Sequence, residues 1–190
     1  MADFIEIDTS EVTTFLKINL GEKLPDSYNT REVVGKAGEV VRARIVERTL
    51  EGVDIYLRPF HPYGYIHGFV RTLGGLRTDI VNLQFTGDML SDIGVTVDSD
   101  TEATVAFRSA KERKKAAKHQ FGETSLYRRR VIRQMLRRVG YSGPLPWFVR
   151  TRMIQIPKRV FFGISEVDRE PLDKITKIHE EELDNALKKV

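Results

Sequence analysis

The chain has no cysteine among its 190 residues. That excludes a disulfide framework and any thiolate metal site, and with them the small secreted scaffolds that depend on either. No uninterrupted apolar run reaches the roughly 18 residues of a membrane-spanning helix. The opening stretch MADFIEIDTSEV is acidic and carries no apolar signal core, so synthesis and folding in a cytoplasm, with no membrane partner, are expected. Catalytic signatures are missing as well: there is no G-x-S-x-G, no P-loop, no H-E-x-x-H and no Rossmann glycine string. Carboxylates are plentiful, but none sits in an apolar stretch that would tune an acid–base pair. No enzymatic activity, cofactor or metal is therefore expected. His61 and His67, six residues apart without a carboxylate pattern nearby, read as locally hydrogen-bonded loop residues rather than ligands.

Acid is also scarce in one particular segment. Between Arg108 and Arg138 there are 12 Lys or Arg against two acids, Glu112 and Glu123, a local net of 12 − 2 = +10. With +4 overall, the remainder carries 4 − 10 = −6. Such segregation points to one surface that meets a polyanion or an acidic partner, against the plainer reading of a solvated helix face. The candidate DNA- or partner-facing residues are Lys111, Arg113, Lys114, Lys115, Arg128, Arg129, Arg130, Arg133, Arg137 and Arg138. The nearly uncharged island His119-Gln120-Phe121-Gly122 interrupts this run.

What is present reads as an α+β domain covering residues 1–190. Residues 4–8 form a short strand, and TSEVTTFLKINL forms a helix capped by Ser10, with Val12, Phe15, Leu16 and Leu20 at helical spacing. The clearest helix covers residues 30–50. Asn29 caps it, Glu32 follows three residues on, Val33, Ala37, Val40, Val41 and Ile45 make one apolar stripe, and Gly52 ends it. Residues 52–69, rich in Pro, Gly and aromatics, form an ordered loop whose Phe60, Tyr63 and Tyr65 need something to pack on. Thr86-Gly87 turns into a short helix over 88–93. Residues 95–107 form a hairpin turning at DSDTE. RSAKERKKAAKHQFG is partly helical. SLYRRRVIRQMLRRVG is a second helix, with Leu126, Val131 or Ile132, Met135, Leu136 and Val139 as its stripe and Gly140 as its stop. RMIQI is a strand that turns at Pro157. The closing helix starts at Pro171, with Leu172, Ile175, Ile178, Leu183 and Leu187 on its apolar side.

Four of these pieces, in this order, resemble the Mu-like phage virion morphogenesis and tail-completion family: the amphipathic helix followed by GVDIYLRPFHPYGYIHGF, LQFTGDMLSDIGVTV with its hairpin, AAKHQFG, and IPKRVFFGIS with a closing helix. Together they span residues 30–190. Arg159-Val160-Phe161 stands where the family has Arg-Pro-Phe, and residues 123–150, the basic helix and a Pro/Trp loop, stand where it has a short β-rich insert.

The resemblance implies an antiparallel sheet packed by helices, in a virion protein of the neck or head-proximal tail end. Such a protein forms a ring, with six copies expected, that completes or terminates the tail and helps join it to the head. Its partners are copies of itself, other neck, tail-tube or sheath proteins, and genomic DNA passing non-specifically through the lumen. Subunits would meet through sheet edges and the aromatic loop 56–69. Hairpin 95–107 and the Ile-Pro strand would share one sheet under helix 30–50. His119 and Gln120 would tie loops together, Phe121 and Phe162 would enter the core, Gly122 would turn the backbone, and Gly163 completes the structural signature. The alternative is a stand-alone nucleic-acid-binding protein that uses the arginine-rich helix.

Overall fold

Residues 5–6, 15–19, 30–127, 129–145 and 152–187 are described by a computed structural model of the chain. The fold is α+β. Its main sheet is built on the predicted hairpin, strands β3 (Ile93–Val97) and β4 (Glu102–Phe107), paired in antiparallel register from Ile93–Phe107 to Val97–Ala103. Along β4 the side chains alternate as a half-covered strand should: Ala103, Val105 and Phe107 are buried and their neighbours are not. Two further strands, β1 (Ile5–Glu6) and β2 (Phe15–Asn19), complete the antiparallel order β1-β2-β4-β3. The helix expected over TSEVTTFLKINL is therefore corrected across Phe15–Asn19. There, backbone pairing with the otherwise open edge of β4 overrides a loose helical spacing. Its proposed Ser10 cap lies outside the described residues.

Helix α1 (Thr30–Glu51) lies on the sheet as expected. Val33, Val34, Ala37, Val41 and Ile45 are buried against it, and Val40 is only partly covered. Gly38 makes this close approach possible: a Cβ there would stand 2.5 Å from Val95 Cγ1. Gly52, at φ +83°, closes the helix in a Schellman motif, with Gly52 N donating to Thr49 O (3.1 Å) and Val53 N to Arg48 O (3.2 Å). Asn29 lies outside the described residues.

The segment read as one loop from 52 to 69 is a loop only to Gly64. Helix α2 (Tyr65–Leu73) follows, with Ile66 and Val70 buried four residues apart. The Pro/Gly-rich composition masked this one-sided apolar pattern. Phe60 is buried and Tyr63 partly so, but Tyr65 is 73% exposed, contrary to its expected packing. The short helix α3 (Asp88–Ser91) begins after Gly87, and Ile93 already belongs to β3.

Helix α4 (Ala110–Phe121) is capped by Ser109, whose Oγ accepts from Glu112 N at 3.3 Å. SLYRRR is not helical throughout. Residues Glu123–Tyr127 form strand β5, which pairs with β6 (Arg152–Ile156), and helix α5 (Arg129–Arg138) starts only afterwards. This also corrects the expected common sheet. The Ile-Pro strand pairs with β5 in a separate two-stranded sheet because it has a partner brought in immediately after Gly122. On α5, Ile132 and Leu136 pack against Ile66 and Val70 of α2 in a second small core that Met135 and Val139 flank. Gly140 ends α5 in a second Schellman motif, with Tyr141 N donating to Leu136 O at 2.9 Å.

Helix α6 (Glu166–Leu187) starts five residues before Pro171, not at it. A capping box sets the start: Asp168 N donates to Ser165 Oγ (3.2 Å), and Ser165 N donates to Asp168 Oδ2 (2.8 Å). Leu172 and Ile175 pack on the main core, whereas Ile178 is exposed.

Candidate functional site

The island at the end of α4 is a junction. Gln120 lies one helical turn beyond the buried Ala116, so it faces inward, and its amide both accepts and donates. Oε1 accepts from Phe161 N and Phe162 N, each at 3.1 Å, and Nε2 donates to Phe162 O at 2.9 Å. The His119 carbonyl accepts from Arg159 N at 2.7 Å. Gly122, at φ +74°, then lets the chain turn where a Cβ would meet Ile156 O and Lys158 N at 3.1 Å each. His119 and Gln120 thus bond to the 159–162 segment, and Gly122 turns the backbone. Phe121 is the correction. It is 50% exposed, because the inward position of this turn belongs to Gln120 and the next residue is rotated about 100° away. Phe162 is buried, in contact with the rings of Phe107 and Phe161. Gly163 has φ +158°, is buried, and presents its carbonyl to Arg48.

Two buried arginines extend the junction. Arg159 donates to His61 O (3.2 and 3.0 Å) and Pro62 O (3.3 Å), and its Nη1 lies 3.3 Å from His119 Nδ1. Arg71 donates to Arg77 O (2.7 Å), Gln84 O (2.8 Å) and Asn82 Oδ1 (3.1 Å). Its guanidinium also lies 4.5 Å from the ring centre of Tyr63. Tyr63 in turn stacks on His67 at 4.9 Å. Burial, and then the neighbouring Arg71 and Arg159, lower His67 to about 4. Burial, and then Arg159, lower His119 to about 3. Both rings are neutral at pH 7. Burial raises Tyr63, partly countered by Arg71.

A third buried arginine, Arg48 of α1, pairs with Asp168 of α6 and donates to Phe161 O (3.1 Å) and Gly163 O (2.8 Å). Sequence reasoning missed Arg48, Arg71, Asn82 and Asp168. Only Asp168 carried a readable signal, since it stands three residues after Ser165. His61 Nδ1 contacts Pro62 O at 3.1 Å, and no group of three or more His, Asp or Glu among the described residues has metal-holding geometry.

The basic residues divide into two kinds. On α4 most of them are engaged in place. Glu112, which is buried, holds Lys115 at 2.7 Å and Lys111 at 3.6 Å, Glu123 holds Lys118 at 2.7 Å, and Arg113 donates to Phe107 O. Lys114 is exposed. On α5, Arg130, Arg133, Arg137 and Arg138 are exposed. Arg128 lies outside the described residues, as does the side chain of Arg129.

One loop also presents apolar groups outward. Asp54 Oδ1 accepts from Tyr56 N (2.8 Å) and Arg58 N (2.9 Å), while Ile55 N donates to Val160 O (2.9 Å). This holds Tyr56 and Leu57 exposed at the tip, Leu57 with φ +60°. No helix among the described residues is long and apolar enough to cross a membrane.

No protein-family model matches the chain, and no curated protein or solved structure is significantly similar to it.

Proposed function

We propose that the chain is a structural virion protein of a phage neck or head-proximal tail end, a ring subunit that completes or terminates the tail and helps join it to the head. One observation carries this reading. Three of the resembling motifs, about 100 residues apart at their extremes, meet in one hydrogen-bonded junction: HPYG through the His61 and Pro62 carbonyls, AAKHQFG through His119 and Gln120, and IPKRVFFGIS through Arg159, Phe161 and Phe162. The fourth, LQFTGD, joins through Gln84 and Arg71. Polar groups that satisfy one another in this way stiffen a scaffold and leave little for a substrate, which suits a part whose task is to hold shape. The rigid tip Tyr56–Leu57 and the edge strand β3 are the surfaces on which neighbouring subunits, then tube, sheath or other neck proteins, would dock. The test is a cryo-EM reconstruction of the particle that carries the gene. Six copies of this chain around the tail axis are expected. Its absence from the particle, or a single off-axis copy, overturns the proposal.

A further inference from the structure

From Thr124 to Ser165 the chain runs 42 residues without one Asp or Glu, while carrying ten Lys or Arg. Helix α5 lies in the first half of this stretch. Its four exposed arginines, Arg130, Arg133, Arg137 and Arg138, have no carboxylate within ion-pair distance among the described residues. On α4, by contrast, buried Glu112 pairs with Lys115 and Lys111, and Glu123 with Lys118. We infer that the outer face of α5 binds the phosphate backbone of duplex nucleic acid without reading its sequence.

Three features favour this ligand. Arg130, Arg133 and Arg137 stand at i, i+3 and i+7, a row about 10 Å long at 1.5 Å rise per residue. That matches the axial length of about three base-pair steps. The opposite face, Ile132 and Leu136, is buried on α2, so the row is held on a docked helix rather than a free arm. Finally, the outer face is polar throughout: none of the exposed large hydrophobic residues lies on α5. An acidic protein would need an apolar centre to its contact, and a single strand would need aromatic rings for its bases to stack on. A duplex backbone needs neither, and guanidinium groups suit its phosphates.

The inference deepens the ring reading by naming lumen DNA as a partner, but it stands on the α5 face alone. A chain absent from any particle would still bind, and a ring subunit that failed to bind would lose only this inference. The test is titration of the full chain with a 30-base-pair duplex of random sequence across a salt series. Four phosphate contacts give a slope of log affinity against log salt near −3.6, or roughly 150-fold weaker binding at 200 mM than at 50 mM salt. The variant R130A/R133A/R137A/R138A should lose a slope of about 3.6. The corresponding four-lysine variant should keep it, which makes the result independent of any folding defect in the first. Replacing four exposed cations elsewhere (Lys36, Arg44, Lys174, Lys177) by alanine should change the slope by less than about 1. Any of three results overturns the inference: an equal loss in that control, tighter binding of a single-stranded 30-mer than of the duplex, or α5-dependent binding of polyglutamate without binding of the duplex.

Discussion

Replacing Arg48 by methionine removes a guanidinium from the interior while keeping most of its stem. Arg48 and Asp168 are both buried, and their pair joins α1 to the start of α6 across the Phe161–Gly163 turn. After Arg48→Met, the Asp168 carboxylate keeps the Ser165 backbone N–H, and the carbonyls of Phe161 and Gly163 lose the guanidinium donor. Breaking a buried pair from one side costs about 3–5 kcal/mol, chiefly because the remaining charge is left uncompensated. In a chain of this size that corresponds to a fall in Tm of about 6–20 °C. Asp168→Leu should cost a similar amount, plus the loss of the capping box, typically about 1 kcal/mol. The double variant is the decisive one. With both charges gone no buried charge is stranded, so its cost should fall short of the sum of the two by at least about 1 kcal/mol. Urea unfolding followed by circular dichroism measures all three. Single variants that each lose under 1 kcal/mol, with an additive double, would refute the assignment of this pair as the clamp between the helices.

Phe162→Ala should lose about 3–5 kcal/mol in the same assay, whereas Phe121→Ala should stay within about 0.5 kcal/mol, because only the first ring is buried. Equal losses would show that the rotation of the island has been misjudged. Leu57→Gly should raise the stability of the isolated chain by up to about 1 kcal/mol, since a leucine at φ +60° is held against its preference, and should weaken subunit association measured by light scattering. Stronger association by the glycine variant would refute the tip as a contact. The histidines predict acid sensitivity. Their folded values, about 4 for His67 and about 3 for His119, lie below the ordinary 6.5, so the unfolded chain takes up protons first. The stability they contribute is complete above pH 6.5 and is lost as pH falls toward 4 and 3. The urea midpoint should therefore drop between pH 7 and pH 4.5, and His67→Gln/His119→Gln should drop less. A double variant with the wild-type dependence would refute this.

Much of the fold was legible where one face of an element meets one surface. The stripe of α1, the alternation of β4 and the apolar side of α5 are all read from spacing alone, because each buries a single face on a neighbour. The misreadings have a common cause in tertiary pairing. Phe15–Asn19 and Glu123–Tyr127 are strands because β4 and β6 offer them edges, which no local pattern records. Pro171 argued for a later helix start, yet Ser165 and Asp168, at capping-box spacing, set an earlier one. The junction was legible in its residues and not in its geometry. HQFG could be read as a structural island, but its inward position depends on helical phase counted from Ala116, which gives that place to Gln120 and leaves Phe121 outside.

The two cores are not independent, and helix α2 is the reason. Its Ile66 and Val70 receive α5, while Arg71, about 100° further round the same helix, is also buried. Arg71 is bonded to the 77–84 loop and lies over Tyr63, whose ring is within 5.8 Å of the Arg159 guanidinium. The direction in which the α5 arginines face is thus set through α2 by the same junction that gathers the distant motifs. This explains why an arginine can serve at Arg71, whose hydrogen-bond partners described above are two backbone carbonyls and the Asn82 amide oxygen. Fixed carbonyl oxygens and an aromatic face accept the guanidinium donors in defined directions, so each cation orients several loops at once. A lysine at either position would keep the charge but not the fork of donors. The scaffold and the basic face are therefore one mechanical unit: what stiffens the junction also aims the helix.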